Sequence, residues 1–182
     1  MSRPLRSAAA FLGTAVAALG LASPAAVADA PAPASAVRIH SAAYGGCLTA
    51  EGSAYRDPRG TSRPWLVALQ PCEDAPAYRQ SWRYSPDTRQ YQSVAEPYRC
   101  VERRGGLLVT SLCDADSAAQ RFRVERVSRS GGGRVKVVAE ADGRVWEQVA
   151  RRGGAARGAW GEGVRDGRDG GSGAQRWWIG AV

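Results

Sequence analysis

Few side chains in this sequence are equipped for bond-breaking chemistry. It holds one histidine, His40, four cysteines (Cys47, Cys72, Cys100 and Cys113) and no asparagine. A serine nucleophile needs a strained elbow and a nearby base. Gly171-Ser172-Gly173 lacks the Gly-x-Ser-x-Gly spacing, and no helical pattern follows it. His40 lies in Val37-Arg38-Ile39-His40, an alternating run where a structural imidazole is the ordinary role. The carboxylate pairs Asp114/Asp116 and Asp166/Asp169 sit among turn residues, where hydration is the expected role. The Asp166–Gly173 stretch lacks the residue order and closing Glu of a calcium loop and reads as a flexible loop. With no C-x-x-C pair, the sequence offers no adjacent zinc ligands. The expectation is a protein that is not an enzyme and carries no metal and no cofactor.

The cysteines point to structure instead, and the start of the chain says where. Met1–Ala28 has Arg3 and Arg6, then an uncharged stretch from Ala8 to Ala22, then Ala26-Val27-Ala28, the pattern of a secretory signal peptide. Its apolar run is shorter than the ~20 residues a bilayer span needs. Residues 29–36 form a Pro/Ala-rich leader expected to be flexible. An even set of cysteines in an exported chain is by default disulfide-bonded. Three pairings are possible. Cys47–Cys72 and Cys100–Cys113 are preferred because each closes a local loop between two strand-like segments. Each such bond stabilises by roughly 3 kcal/mol on the chain-entropy account. The expected product is secreted, extracellular and monomeric, with no membrane attachment after signal cleavage.

The formal charge is +8, carried almost wholly by arginine. Arg121, Arg123 and Arg126, with Arg103 and Arg104, are candidates for a basic patch suited to sulfate or phosphate. Outside the cell, a phosphorylated wall polymer fits such a patch better than nucleic acid. However, Glu102, Glu125, Asp114 and Asp116 interrupt it, so a solvated mixed-charge surface is the favoured reading. A disordered chain is excluded by the 44% apolar content and six tryptophans.

The elements that must position these residues are strands. Short apolar or alternating runs such as Cys47-Leu48-Thr49-Ala50, Trp65–Leu69 and Ser81-Trp82-Arg83-Tyr84 are separated by Gly, Pro, Asp and Ser, and no window has a convincing helical face. One pattern recurs three times. The first copy runs from Gly46-Cys47-Leu48 through Gln70-Pro71-Cys72 to Gln80-Ser81-Trp82. The second runs from Arg99-Cys100-Val101-Glu102 through Ser111-Leu112-Cys113 to Gln120-Arg121-Phe122. The third runs from Arg144-Val145-Trp146-Glu147 to Gln175-Arg176-Trp177, with Val145 in place of a cysteine. Four strands per copy predict twelve.

Three copies of C-L … C … Q-x-W over residues 37–182 resemble the ricin B-type lectin domain. The resemblance implies an all-β fold, the β-trefoil, with repeats at about 37–86, 87–128 and 129–182. It implies that Trp82, Phe122 and Trp177 are core residues, following Gln80, Gln120 and Gln175. It also implies a sugar site in each copy. An Asp two residues after the first Cys accepts hydrogen bonds from sugar hydroxyls, an aromatic ring stacks on the sugar, and an Asn and the Gln of Q-x-W complete the contacts. Here the Asp position holds Thr49, Glu102 and Glu147, and the Asn position holds Arg79, Ala119 and Ala174. Gln70 and Ser111 stand where the aromatic is expected. The first two copies therefore read as scaffold. The third keeps an acid, Glu147, a ring thirteen residues on, Trp160, and an amide, Gln175. Against this stands an ordinary surface carboxylate paired with an arginine such as Arg144. The expected function is a secreted, non-catalytic carbohydrate-binding module whose partner is a cell-wall or extracellular glycan. The alternative is a trefoil that has lost sugar binding and acts on a secreted protein as an interaction or inhibitor protein.

Overall fold

The computed structural model describes residues 35–72, 77–127, 133–148 and 162–182. The segment read as a signal peptide, most of the leader and Trp160 lie outside the described residues. Twelve strands occur among the described residues: β1 (Ala36–Ser41), β2 (Cys47–Ala50), β3 (Val67–Gln70), β4 (Ser81–Ser85), β5 (Gln90–Ser93), β6 (Arg99–Arg104), β7 (Leu107–Leu112), β8 (Phe122–Arg126), β9 (Val135–Ala139), β10 (Val145–Gln148), β11 (Glu162–Gly167) and β12 (Trp177–Ala181). All ladders between them are antiparallel. The fold is all-β, and the described residues add three short 3-10 turns at Ala77–Gln80, Ala118–Gln120 and Gly173–Gln175.

Two layers follow from the pairing. β12, β1, β4 and β5 are paired in turn, and β8 pairs β9, which pairs β12. The remaining joint of this six-strand ring is made where the Phe122 N–H donates to the Arg89 carbonyl at 2.8 Å. Such closure leaves few free strand edges. The other six strands form three hairpins, β2–β3, β6–β7 and β10–β11, which cap one end. β11 pairs with both β3 and β7, and a bridge joins Leu66 to Val109.

The hairpin registers define equivalent positions. Cys47 faces Gln70, Cys100 faces Ser111, and Val145 faces Gly167. Counting from these pairs, Leu66, Leu107 and Gly163 share one position near the pseudo-threefold axis. A Cβ on Gly163 would lie 3.0 Å from a Leu66 methyl and 3.3 Å from one of Leu107. Two leucines fill the axis, so the third copy contributes no side chain there.

The core lies between ring and cap. Trp82, Phe122, Trp146 and Trp177 are fully buried with Ile39, Leu48, Val101 and Leu108. Trp146 stands where the other copies have Leu48 and Val101, and it packs edge-on against Phe122 at 5.0 Å and Trp177 at 6.5 Å. Rings of this size bury 150 Å² or more each and dominate a core this small. The indole N–H of Trp82 donates to the Leu48 carbonyl at 3.0 Å, and that of Trp177 to the Trp146 carbonyl at 3.1 Å. The two hydrogen bonds are the same contact in the first and third copies. Disulfides join Cys47 to Cys72 and Cys100 to Cys113.

Candidate functional site

Each 3-10 turn ends on the glutamine of a Q-x-W/F triplet and turns it inward. Gln80, Gln120 and Gln175 are 0%, 1% and 2% exposed. Each amide donates to the same backbone position, the carbonyl of Pro71 at 3.0 Å, of Leu112 at 2.8 Å and of Arg168 at 2.7 Å. Each also reaches the side chain at the acid position: Thr49 Oγ1 at 3.3 Å, Glu102 Oε2 at 3.2 Å and Glu147 Oε2 at 3.4 Å. The glutamine thus pins the loop after the second hairpin strand and orients whatever the acid position carries.

The three copies then diverge. In the first, Thr49 turns its hydroxyl to the Cys47 carbonyl, and a carboxylate enters from Glu51 instead, 6% exposed. Glu51 accepts from Gln70 Nε2 at 2.6 Å and lies 3.9 Å from Arg79. Burial pushes its carboxyl above the usual range, more than Gln70 and Arg79 pull it down. Sequence reading missed Glu51 because it lies outside the motif, although its place directly after a strand was visible. In the second copy, Glu102 accepts from Ser111 Oγ and Gln120 on one oxygen, and from Arg104 at 2.7 and 2.9 Å on the other. Burial alone would raise its pKa, but these bonds outweigh it and hold the carboxyl below the usual range.

In the third copy, Glu147 accepts from Gln175 on one oxygen and from Arg165 Nη2 at 3.1 Å on the other. Its side chain is 18% exposed and that of Arg165 is 51% exposed. The carboxylate lies directly over Gly167, where a Cβ would come within 2.1 Å of Oε2. The absent side chain at this position makes room for the acid, where Gln70 and Ser111 occupy the equivalent space. The oxygen of the Gln175 amide accepts from Gly170 N–H at 3.0 Å, so both ends of that amide are engaged within the chain.

Several acids and arginines have partners other than those expected. Glu147 pairs with Arg165, not Arg144. Asp166 is not a hydrated turn acid. It lies in β11 with its side chain 4% exposed, accepting on Oδ2 from Arg103 at 2.6 Å and Arg144 at 3.2 Å. Its equivalents in the other copies are Leu69 and Thr110. Arg103, 15% exposed, also makes a two-pronged pair with Asp142 at 2.8 and 2.9 Å, which removes it from any basic patch. Arg104 pairs with Glu102 and Arg123 with Glu125, so these two charges of the expected patch are also neutralised in place, while Arg121 donates to the Ala115 carbonyl at 3.5 Å. The loop after β11 is pinned as well, by Gln175 and by Asp169, which pairs with Lys136 at 2.6 Å. A 170 Å³ cleft lies beside Leu66, Leu107 and Gly163, and a 490 Å³ cleft beside Arg89, Arg121 and Glu140. Neither is lined by Thr49, Glu102 or Glu147.

A threefold of hairpins capping a six-strand ring, with one pinned glutamine per copy, can be compared with solved structures. The fold is the β-trefoil of the ricin B-type lectins. A designed threefold-symmetric protein, ThreeFoil, matches with a TM-score of 0.62 at 13% identity, over 81% of this chain and 99% of that one. The C-half of the earthworm R-type lectin, solved in complex with GalNAc, matches at 0.60 and 14% identity, over 81% and 99% of the two chains. The β-trefoil lectin of the Vibrio vulnificus hemolysin/cytolysin, with N-acetyl-D-lactosamine bound, matches at 0.55 and 17% identity, over 81% and 94%. No protein-family model matches the sequence, and no curated protein matches it. At such identities the trefoil likeness is one of fold, and the residues at each copy carry the functional argument.

Proposed function

We propose that this chain is an exported, non-catalytic carbohydrate-binding trefoil whose sugar contact lies in the third copy. The observation that carries the reading is Glu147: a partly exposed carboxylate held from behind by Gln175, with a glycine beneath it and a half-exposed arginine in front. A carboxylate so held accepts from two neighbouring sugar hydroxyls once Arg165 swings aside. In this reading Gln175 fixes Glu147, and Trp160 supplies the stacking ring. The saccharides bound to the earthworm and Vibrio trefoils support a sugar as the class of ligand. Two disulfides support export, since such bonds persist in oxidising compartments. A glycan array with the wild-type chain and Glu147→Gln tests it. Saturable binding to a neutral sugar that the variant loses supports the site, and equal binding by the variant places the contact elsewhere.

A second reading, an interaction protein without sugar binding, draws on the second copy. There Glu102 is fully tied down, while Tyr98 and Leu112, joined through the Cys113 N–H to Tyr98 carbonyl bond, are 58% and 67% exposed. A blank array together with a protein partner lost on Tyr98→Ser and Leu112→Ser favours that reading.

A further inference from the structure

The only imidazole in the sequence lies against one of the two disulfides. His40 in β1 faces Cys47 in the β1–β2 register, and Cys47 is bonded to Cys72. The His40 Nδ1 atom is 3.5 Å from the sulfur of Cys47 and 3.5 Å from that of Cys72. The three potential ligand atoms all lie within 4.8 Å of one another. These residues are too widely spaced in the sequence to form a recognisable metal motif, and the hairpin and the crosslink bring them together.

We propose that His40, Cys47 and Cys72 form a latent Cys2His site for a thiophilic divalent cation of the zinc type, closed by the disulfide and opened by its reduction. Tetrahedral zinc, with Zn–S near 2.3 Å and Zn–N near 2.05 Å, holds its nitrogen about 3.6 Å from each sulfur and its sulfurs about 3.8 Å apart. The nitrogen-to-sulfur spacing is already present, so only the two sulfurs must part. Cys47 is fully buried and Cys72 half-buried, so one sulfur is anchored and the other can move outward. A dithiol supplies the reaction's two electrons and two protons. Its thiolate attacks the Cys72 sulfur, Cys47 leaves as thiolate, and the second thiol resolves the mixed disulfide, so the reductant departs as its own disulfide. Binding of the cation then displaces both cysteine protons. The equivalent second-copy disulfide has no histidine beside it, because the sequence contains no other.

The test uses the full chain with Cys100→Ser and Cys113→Ser, oxidised and phosphine-reduced, titrated with Co2+ as a spectroscopic stand-in for zinc. The reduced protein should bind one equivalent with a sulfur-to-cobalt charge-transfer band that zinc abolishes, and the oxidised protein should show none. His40→Ala should weaken binding by at least about tenfold, the size of loss seen when even an outer-sphere partner is removed. If that double variant does not fold, the wild-type chain is used, and Cys47→Ser with Cys72→Ser must eliminate the band. If reduction itself unfolds the chain, cobalt must restore its near-ultraviolet dichroism. The proposal is overturned by a reduced protein without the band, by His40→Ala binding equally well, or by cobalt binding that leaves an unfolded reduced chain unfolded.

Discussion

Glu102 and Glu147 occupy the same position in the second and third copies, and each is held by the glutamine of its own triplet. What differs first is the diagonal neighbour on the facing strand. Ser111 reaches Glu102 and donates to it, while Gly167 offers no side chain and lets Glu147 lie flat over the backbone. Arg104 lies two residues from Glu102 on the same strand and binds it with two nitrogens, whereas Arg165 approaches Glu147 from the neighbouring strand with one. One carboxylate is built into the scaffold, and the other retains acceptor capacity. Identical backbone positions thus acquire different chemistry from a diagonal neighbour and from the arginine each one meets.

The copies can be set against each other experimentally, starting with the core. Trp177→Ala should cost ~3–5 kcal/mol by chemical denaturation, from lost burial and a vacated cavity. Phe122→Ala should cost slightly less, since Phe122 makes no indole hydrogen bond to match that of Trp177 to Trp146. Equal costs would show that this bond contributes nothing.

The next effect lies where the second and third copies meet. Asp166→Ala should cost about 3 kcal/mol, because it removes the buried acceptor and leaves the half-buried Arg103 with only Asp142. Replacing both partners by the residues of the first copy, Arg103→Ala with Asp166→Leu, should return stability to within about 1 kcal/mol of wild type, as removal of a whole buried pair often does. A double variant no better than the single one would show that the pair specifies how the hairpins dock.

The acids themselves give smaller changes of opposite kind. Glu147→Gln should abolish the proposed sugar binding while changing stability by ~1 kcal/mol or less. Glu102→Gln should leave sugar binding intact and lower stability by about 1 kcal/mol, since three donors lose a charged acceptor. Calorimetry on both variants with one array-positive sugar checks the pair of outcomes.

The smallest effect is a dependence on pH. The folded-state pKa of Glu51 is raised by burial, so its ionised form opposes folding at neutral pH, and the penalty fades as pH falls through the raised value. Glu51→Gln should therefore raise the melting temperature at pH 7 and lose that advantage in acid. Glu102 behaves oppositely, as do Asp142, held down first by Arg103, and Asp169, held down first by Lys136. Their stabilisation is complete above the ordinary carboxylate range and is lost as pH falls through their lowered values. The melting temperature of the wild-type chain followed from pH 7 to acid should then fall below that range, and Glu102→Gln should flatten the fall.

Much of this architecture is written in local patterns. Alternation in Val37–His40 and Val135–Ala139, turn residues between runs, and three Q-x-W/F triplets are enough to specify strands, copies and the inward aromatic of each, because burial on one strand face has a period of two. The residue types at Thr49, Glu102 and Glu147 also show directly which copies retain an acid. What each acid does depends on atoms distant in the chain. Gly167 lies 20 residues from Glu147 and decides its pose, and Arg103 lies 63 residues from Asp166 and turns an apparent turn acid into a buried ion pair. Glu51 takes up a carboxylate role outside the motif because the hairpin folds Gln70 onto it. His40 meets two sulfurs only when β1 and β2 pair. Sequence spacing sets periodicity along one strand, whereas hydrogen bonds and charge pairing act through space, so the partners of these groups were decided only when strands paired within each copy and, for Arg103 and Asp166, when the second and third copies packed together.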